Sequence, residues 1–101
     1  MSDKTEFIEY LESVTGEGWH VITIQLENSS AKPLSLILEP QGGMLTLDPG
    51  AKHEVVAQQP RDYGIHLEFS EKYVQVWVEG SSGVFHDGSA LYTWVITYRG
   101  L

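Results

Sequence analysis

Four histidines, His20, His53, His66 and His86, are the side chains of this 101-residue chain best suited to metal ligation or proton transfer. Neutral imidazole is a common metal ligand and titrates close to physiological pH. No two of the four stand at H-x-H or H-x-x-x-H spacing, so no single strand or helix turn presents a ligand pair. They fall on separate predicted strands. His20 reads as a hydrogen-bonded histidine on an apolar face, and His53 and His86 as residues flanking turns. The chain has no cysteine, which removes zinc–thiolate sites, blue-copper ligation, disulfide frameworks and thiol nucleophiles together. No metal and no cofactor is expected.

Nucleophilic catalysis needs a serine poised by a base, which is itself oriented by a third group. The serines here sit in turn segments, as Ser29-Ser30 and Ser81-Ser82 do, or alternate along a strand, as Ser35 does, and no G-x-S-x-G elbow occurs. Paired carboxylates need a sheltered cleft to separate their pKa values; the acids here are spread over a helix face and strand edges. The GSSG segment lacks the lysine and following helix of a phosphate loop. Asp87-Gly88 and Thr46-Leu47-Asp48-Pro49-Gly50 are explained by turn chemistry. No catalytic residues are assigned, and the chain is read as a non-enzyme.

Charge narrows the partners. Fourteen acidic residues against six basic ones leave a net charge of −8 at pH 7. Such a surface repels phosphate backbones, so nucleic acid is not an expected ligand. A basic protein is the sharper alternative to charge that serves solubility alone. The first fifteen residues carry four acids and no apolar run, so no signal peptide is read there. No apolar run approaches the ~20 residues of a membrane helix, and the expected location is the cytoplasm. Asn28-Ser29-Ser30 fits a glycosylation acceptor, a match read as chance in that setting.

The elements that must position these residues follow from periodicity. Phe7, Tyr10, Leu11 and Val14 recur at helical spacing, predicting an amphipathic helix over about 3–14, capped by Ser2 or Thr5 and stopped by Gly16 and Gly18. From Trp19 the period becomes two. His20, Ile22, Ile24 and Leu26 alternate in the first stretch; Leu34, Leu36 and Leu38 in the second; Ile65, Leu67 and Phe69 further on. Turn signals every 8–12 residues, and prolines 33, 40, 49 and 60 placed between strands, predict seven or eight short strands over about 19–99. The expectation is one domain over 1–101, mainly β: an antiparallel β-sandwich with one short N-terminal helix.

Within that frame, YVQVWVEG (73–80) raises a specific question. Val74, Val76 and Val78 take one side, whereas Tyr73, Gln75, Trp77 and Glu79 take the other. Two further aromatics, Tyr92 and Trp94, share a row with Ile96 and Tyr98. A helix this short needs a surface to lie on, and the reading preferred here is that Phe7, Leu11 and Val14 cover part of this aromatic excess. Aromatic surface left uncovered would serve a partner. The longest loop, Arg61-Asp62-Tyr63-Gly64, is a second place where recognition residues are commonly carried.

Several short segments together resemble the β-domain of the von Hippel-Lindau tumour suppressor family. They are Asn28 and Ser30 at a turn, the apolar strand that follows, the glycine turn, Thr46-Leu47 with Pro49-Gly50, and Tyr63 with His66-Leu67. The resemblance covers roughly half the chain and implies a small sandwich that offers a sheet edge and a pocket to a peptide. In that family a histidine and a serine within aromatic walls bind hydroxyproline. Only His66 lands on a matching position; Asp62 stands in the serine's place and Glu68 in a tryptophan's, so hydroxyproline recognition is not implied. The family's elongin-binding helical domain has no counterpart. The chain is also similar in style to small bacterial β-sandwich proteins of unknown function.

The functional expectation is a protein–protein interaction module, monomeric or homodimeric, that uses a sheet edge or an aromatic sheet face. Tyr63, His66, Tyr73 and Trp77 are its candidate partner-binding residues. The alternatives are an acidic inhibitor or immunity-type protein for a basic partner, and a sandwich that binds a small ligand or metal.

Overall fold

Ser2 caps helix α1 (Asp3–Val14), its hydroxyl oxygen accepting the Thr5 backbone N–H at 3.1 Å. Asp3 and Glu6 lie in the first turn, where carboxylates suit the helix dipole. The computed structural model describes residues 1–96; Tyr98 and the end of the expected last strand lie outside the described residues.

Among the described residues eight strands follow: β1 (Trp19–Glu27), β2 (Leu34–Glu39), β3 (Gly43–Leu47), β4 (Lys52–Pro60), β5 (His66–Phe69), β6 (Tyr73–Trp77), β7 (Ser82–His86) and β8 (Ser89–Trp94). They form two four-stranded sheets, β1-β4-β7-β8 and β3-β2-β6-β5. Pro60 closes β4 opposite Trp19, instead of lying between strands. The segment Ser82-Gly83, expected as a turn, is the start of β7.

The expectation of antiparallel pairing holds for the first sheet and fails for the second. β2 and β6 run parallel at its centre, with Ser35 beside Tyr73 and Glu39 beside Trp77. The physical reason is topological. The hairpins β2-β3 and β5-β6 close locally, but between them the chain visits the other sheet as β4. The inner strands of the two hairpins then meet pointing the same way. Alternation with period two is identical in parallel and antiparallel ladders, so it carries no information about a neighbour's direction.

One buried apolar cluster draws on both sheets: Leu26, Val55, Ala57 and Val84 from the first, Leu36, Leu38, Leu47, Val74 and Val76 from the second, and Val78 just past β6. The expected β6 row is among them, as are Leu36 and Leu38 of the β2 row and Leu26 of the β1 row; Leu34, Ile22 and Ile24 pack against the cluster, and His20 lies outside it. Phe69 is the exception in its row, 65% exposed at the end of β5. Tyr92 packs on the same cluster, with its ring against the Cα of Gly43, where a Cβ would lie 2.6 Å from the ring.

A second buried cluster lies on the other side of the first sheet. Leu11 of α1 meets Val56 and Phe85, with Phe7, Ile8 and Val21 at its margin. Of the expected stripe, Phe7 and Leu11 form the seat together with Ile8, whereas Tyr10 and Val14 are 47% and 55% exposed. Outward residues of β4 meet the helix in sequence. Glu54 pairs with Lys4 at 2.7 Å, Val56 packs under Leu11, and Gln58 donates through Nε2 to the Thr15 hydroxyl at 2.9 Å. Asp3 accepts the Ala90 backbone N–H at the start of β8. Gly83 makes room for this seat, because a Cβ there would stand 2.8 Å from Phe85 and 3.1 Å from Phe7.

Asn28 ties the loops at one end of the molecule. Its Nδ2 donates to the carbonyls of Lys32 and Leu47, and its Oδ1 accepts from the N–H and hydroxyl of Ser30. Its main chain is bonded to Gly50 and Ala51. The side chain is 1% exposed, so the amide of the acceptor triplet is committed to structure. Among the described residues, no helix is long and apolar enough to cross a membrane.

Replacing Leu11 with alanine should lower unfolding free energy by about 2–4 kcal/mol in urea titrations. Tyr10→Ala, one residue away but facing water, should change it by less than about 0.5 kcal/mol. Equal effects would contradict the helix seat described above.

Candidate functional site

With α1 spent on the first sheet, the opposite outer face of the second sheet is what the aromatic residues share. Because Val74 and Val76 point into the core, Tyr73, Gln75 and Trp77 point away from it. Cross-strand partners share a face. Ser35, Ile37 and Glu39 of β2 therefore flank them on one side, and His66 and Glu68 of β5 on the other. Thr46 and Met44 of β3 complete the face. Met44 is 65% exposed and Trp77 39%. The expectation that α1 covers part of the Trp77 face is thus corrected. The helix packs on the sheet that carries Tyr92 and Trp94, because there Val56 and Phe85 offer a continuous apolar bed.

At one end of this face the His66 and Trp77 rings meet edge to face, their centroids 6.3 Å apart and planes at 89°. His66 Nε2 lies 3.2 Å from Glu68 Oε1, an exposed contact that becomes an ion pair when the imidazole is protonated. His66, Glu68, Trp77 and Glu79 line an open depression of about 390 Å³. Glu39 stands beside Trp77 on β2, and its carbonyl accepts the Val78 N–H at 2.8 Å. The frame below is stiff: the Glu79 N–H donates to Oε1 of buried Gln59 at 2.6 Å, and Gly80 lies against the Gln58 carbonyl with no room for a side chain. The Glu39–Pro40 peptide is cis.

Of the four candidate residues, the structure brings His66 and Trp77 together. Tyr73 is half-buried on the same face of β6, but at its other end beside Ser35. Tyr63 stands 60% exposed on the loop between β4 and β5, outside the lining of the depression. Sequence reasoning missed Glu39, Glu68 and Glu79 as members of the site. Strand parity sets Glu79 on the Trp77 side of its own strand and turns Glu39 and Glu68 away from the neighbouring leucines, but it takes the pairing of β2 and β5 with β6 to bring these two beside Trp77. The hairpin turn at Glu71-Lys72 also sets Glu68 and His66 across from Gln75 and Trp77.

The remaining histidines divide between two places. His53 is 7% exposed, and its ring lies 5.6 Å, centroid to centroid, from that of His86. His86 Nδ1 is 3.0 Å from the Lys52 carbonyl, and Nε2 is 3.3 Å from Asp87. His20 lies on β1, near Trp19 and Arg61 beside the C-terminal end of the helix. Among the described residues, no group of three or more His, Asp or Glu is gathered in a geometry that could hold a metal ion.

Comparison with protein-family models, with curated proteins and with solved structures finds no match to this chain.

Acrylamide quenching separates the three indoles. Trp77→Phe should remove the largest share of the quenchable emission while moving the urea midpoint little, by under about 1 kcal/mol in free energy. Trp19 and Trp94 are better shielded, and dominant quenching from either would overturn the placement of Trp77.

Proposed function

We propose that this chain is a non-enzymatic interaction module, a two-layer β-sandwich that receives a partner protein on the outer face of its second sheet. One observation carries the reading: α1 covers the outer face of β1-β4-β7-β8, while the face of β3-β2-β6-β5 keeps Trp77 and Met44 at the surface. An indole held 39% exposed forgoes part of the about 1.5–3 kcal/mol that full burial of a large apolar side chain is worth. Tryptophan is also a residue type around which interface energy concentrates. The sandwich arrangement is supported by the single cluster shared between the sheets. His66, the one position that matches the resembling family's peptide-binding residues, lies against Trp77. Cytoplasmic residence is part of the same proposal, in keeping with the acidic composition.

The test is comparative capture from lysate on immobilised protein. A specific partner should be retained by the native chain and lost by tenfold or more on Trp77→Ala and on Met44→Glu. It should be kept on Tyr10→Ala, which alters an exposed ring on the helix. Equal retention on all four would reject this face as the binding surface.

A further inference from the structure

The chemistry around Trp77 says what kind of group belongs there. Along the face, charge is segregated. Glu39, Glu68 and Glu79 cluster at the Trp77 end, whereas Lys72 and Lys32 lie at the other end together with Glu71. No lysine or arginine occupies an outward position of β2, β3, β5 or β6, so nothing within the sheet face neutralises the three carboxylates. The His66 ring contacts one of the three, Glu68, at 3.2 Å. An indole attracts cations to its ring face. Carboxylates around it add charge-assisted hydrogen bonds, and a guanidinium can use both.

We infer that the depression between Trp77, His66, Glu68 and Glu79, with Glu39 alongside, seats an arginine or lysine side chain from a basic protein partner. The inference rests on the reading of this face as an interaction surface and specifies its occupant. A second copy of this chain fits less well. Four strands about five residues long span a flat area of roughly 300 Å², whereas obligate homodimers bury more than about 1,000 Å² per subunit. A face of that size suits one projecting segment. The native charge of −8 further opposes self-association.

The experiment uses the full chain, ¹⁵N-labelled, titrated with a short peptide alternating glycine and arginine, and with the same peptide carrying citrulline. The expected result is a saturable shift of the Trp77 indole N–H resonance with the arginine peptide, little change at Trp19 and Trp94, and no saturation with citrulline. The E39Q/E68Q/E79Q variant should bind the arginine peptide about tenfold more weakly. E6Q/E9Q/E12Q removes the same three charges from exposed helix positions and should cost less than threefold. Trp77→Ala should lose about tenfold, with a dispersed amide spectrum showing that each variant is folded.

Equal losses in the two glutamine variants would mean non-specific charge attraction and overturn the inference. So would equal binding of citrulline, or an indole shift that tracks the concentration of the chain itself, the mark of a second copy as occupant. A captured partner that depends on Trp77 but not on the three glutamates would overturn this inference and leave the interaction face standing. A capture pattern indifferent to Trp77 would remove the face itself.

Discussion

The contact of Leu11 with Val56 and Phe85 organises this molecule. β4 and β7 sit in the middle of their sheet and are apolar on both sides. Val55 and Ala57 face one cluster and Val56 the other, and Val84 and Phe85 divide the same way. A sheet with an apolar row on each face needs two covers. One is the cluster shared with the second sheet, and the other is α1. Lys4–Glu54, Thr15–Gln58 and Asp3–Ala90 then set the helix's position along the strands, adding direction to a contact whose strength is mainly hydrophobic. Once the short helix is committed there, it is not available to the other sheet.

Strand parity explains why aromatic residues on β6 and β8 meet different fates. Tyr92 closes over Gly43 and joins the shared core, whereas Trp77 stands on a face flanked by Glu39, His66 and Glu68. The alternation of β6 with glutamine at position 75 is that of a half-buried strand. Its outward aromatics are part of the surface chemistry, and the structure below them is stiffened by Gln59 and Gly80, which join the end of β6 to β4.

Much of the fold was legible in the sequence because local pattern is enough for it. The helix span, the β2 boundaries and the inward rows of β1, β2 and β6 follow from periodicity and turn residues alone. The adjacent apolar pairs Val55-Val56 and Val84-Phe85 also held the clue to a two-sided sheet, since simple alternation cannot bury consecutive residues on one face. One flank of the helix stripe was misplaced: Ile8 and Val14 lie on opposite sides of Phe7 and Leu11, about 120° apart on a helical wheel, and the bed beneath decides which is buried. Pairing of β2 with β6 was not legible, since it joins segments far apart in the chain through a visit to the other sheet. The candidate site was legible only in part: strand parity exposes Trp77 and His66, but Glu39 reaches Trp77 solely through that distant pairing.

The parallel β2–β6 ladder is therefore a seam between two hairpins that each close on their own. Glu39 belongs to one side of the seam, and His66, Glu68 and Trp77 to the other. A ligand touching both sides acts as a clasp. By mass action it favours the closed junction over any state in which the hairpins have parted, so the recognition proposed for this surface would draw on the same free energy as cohesion of the second sheet.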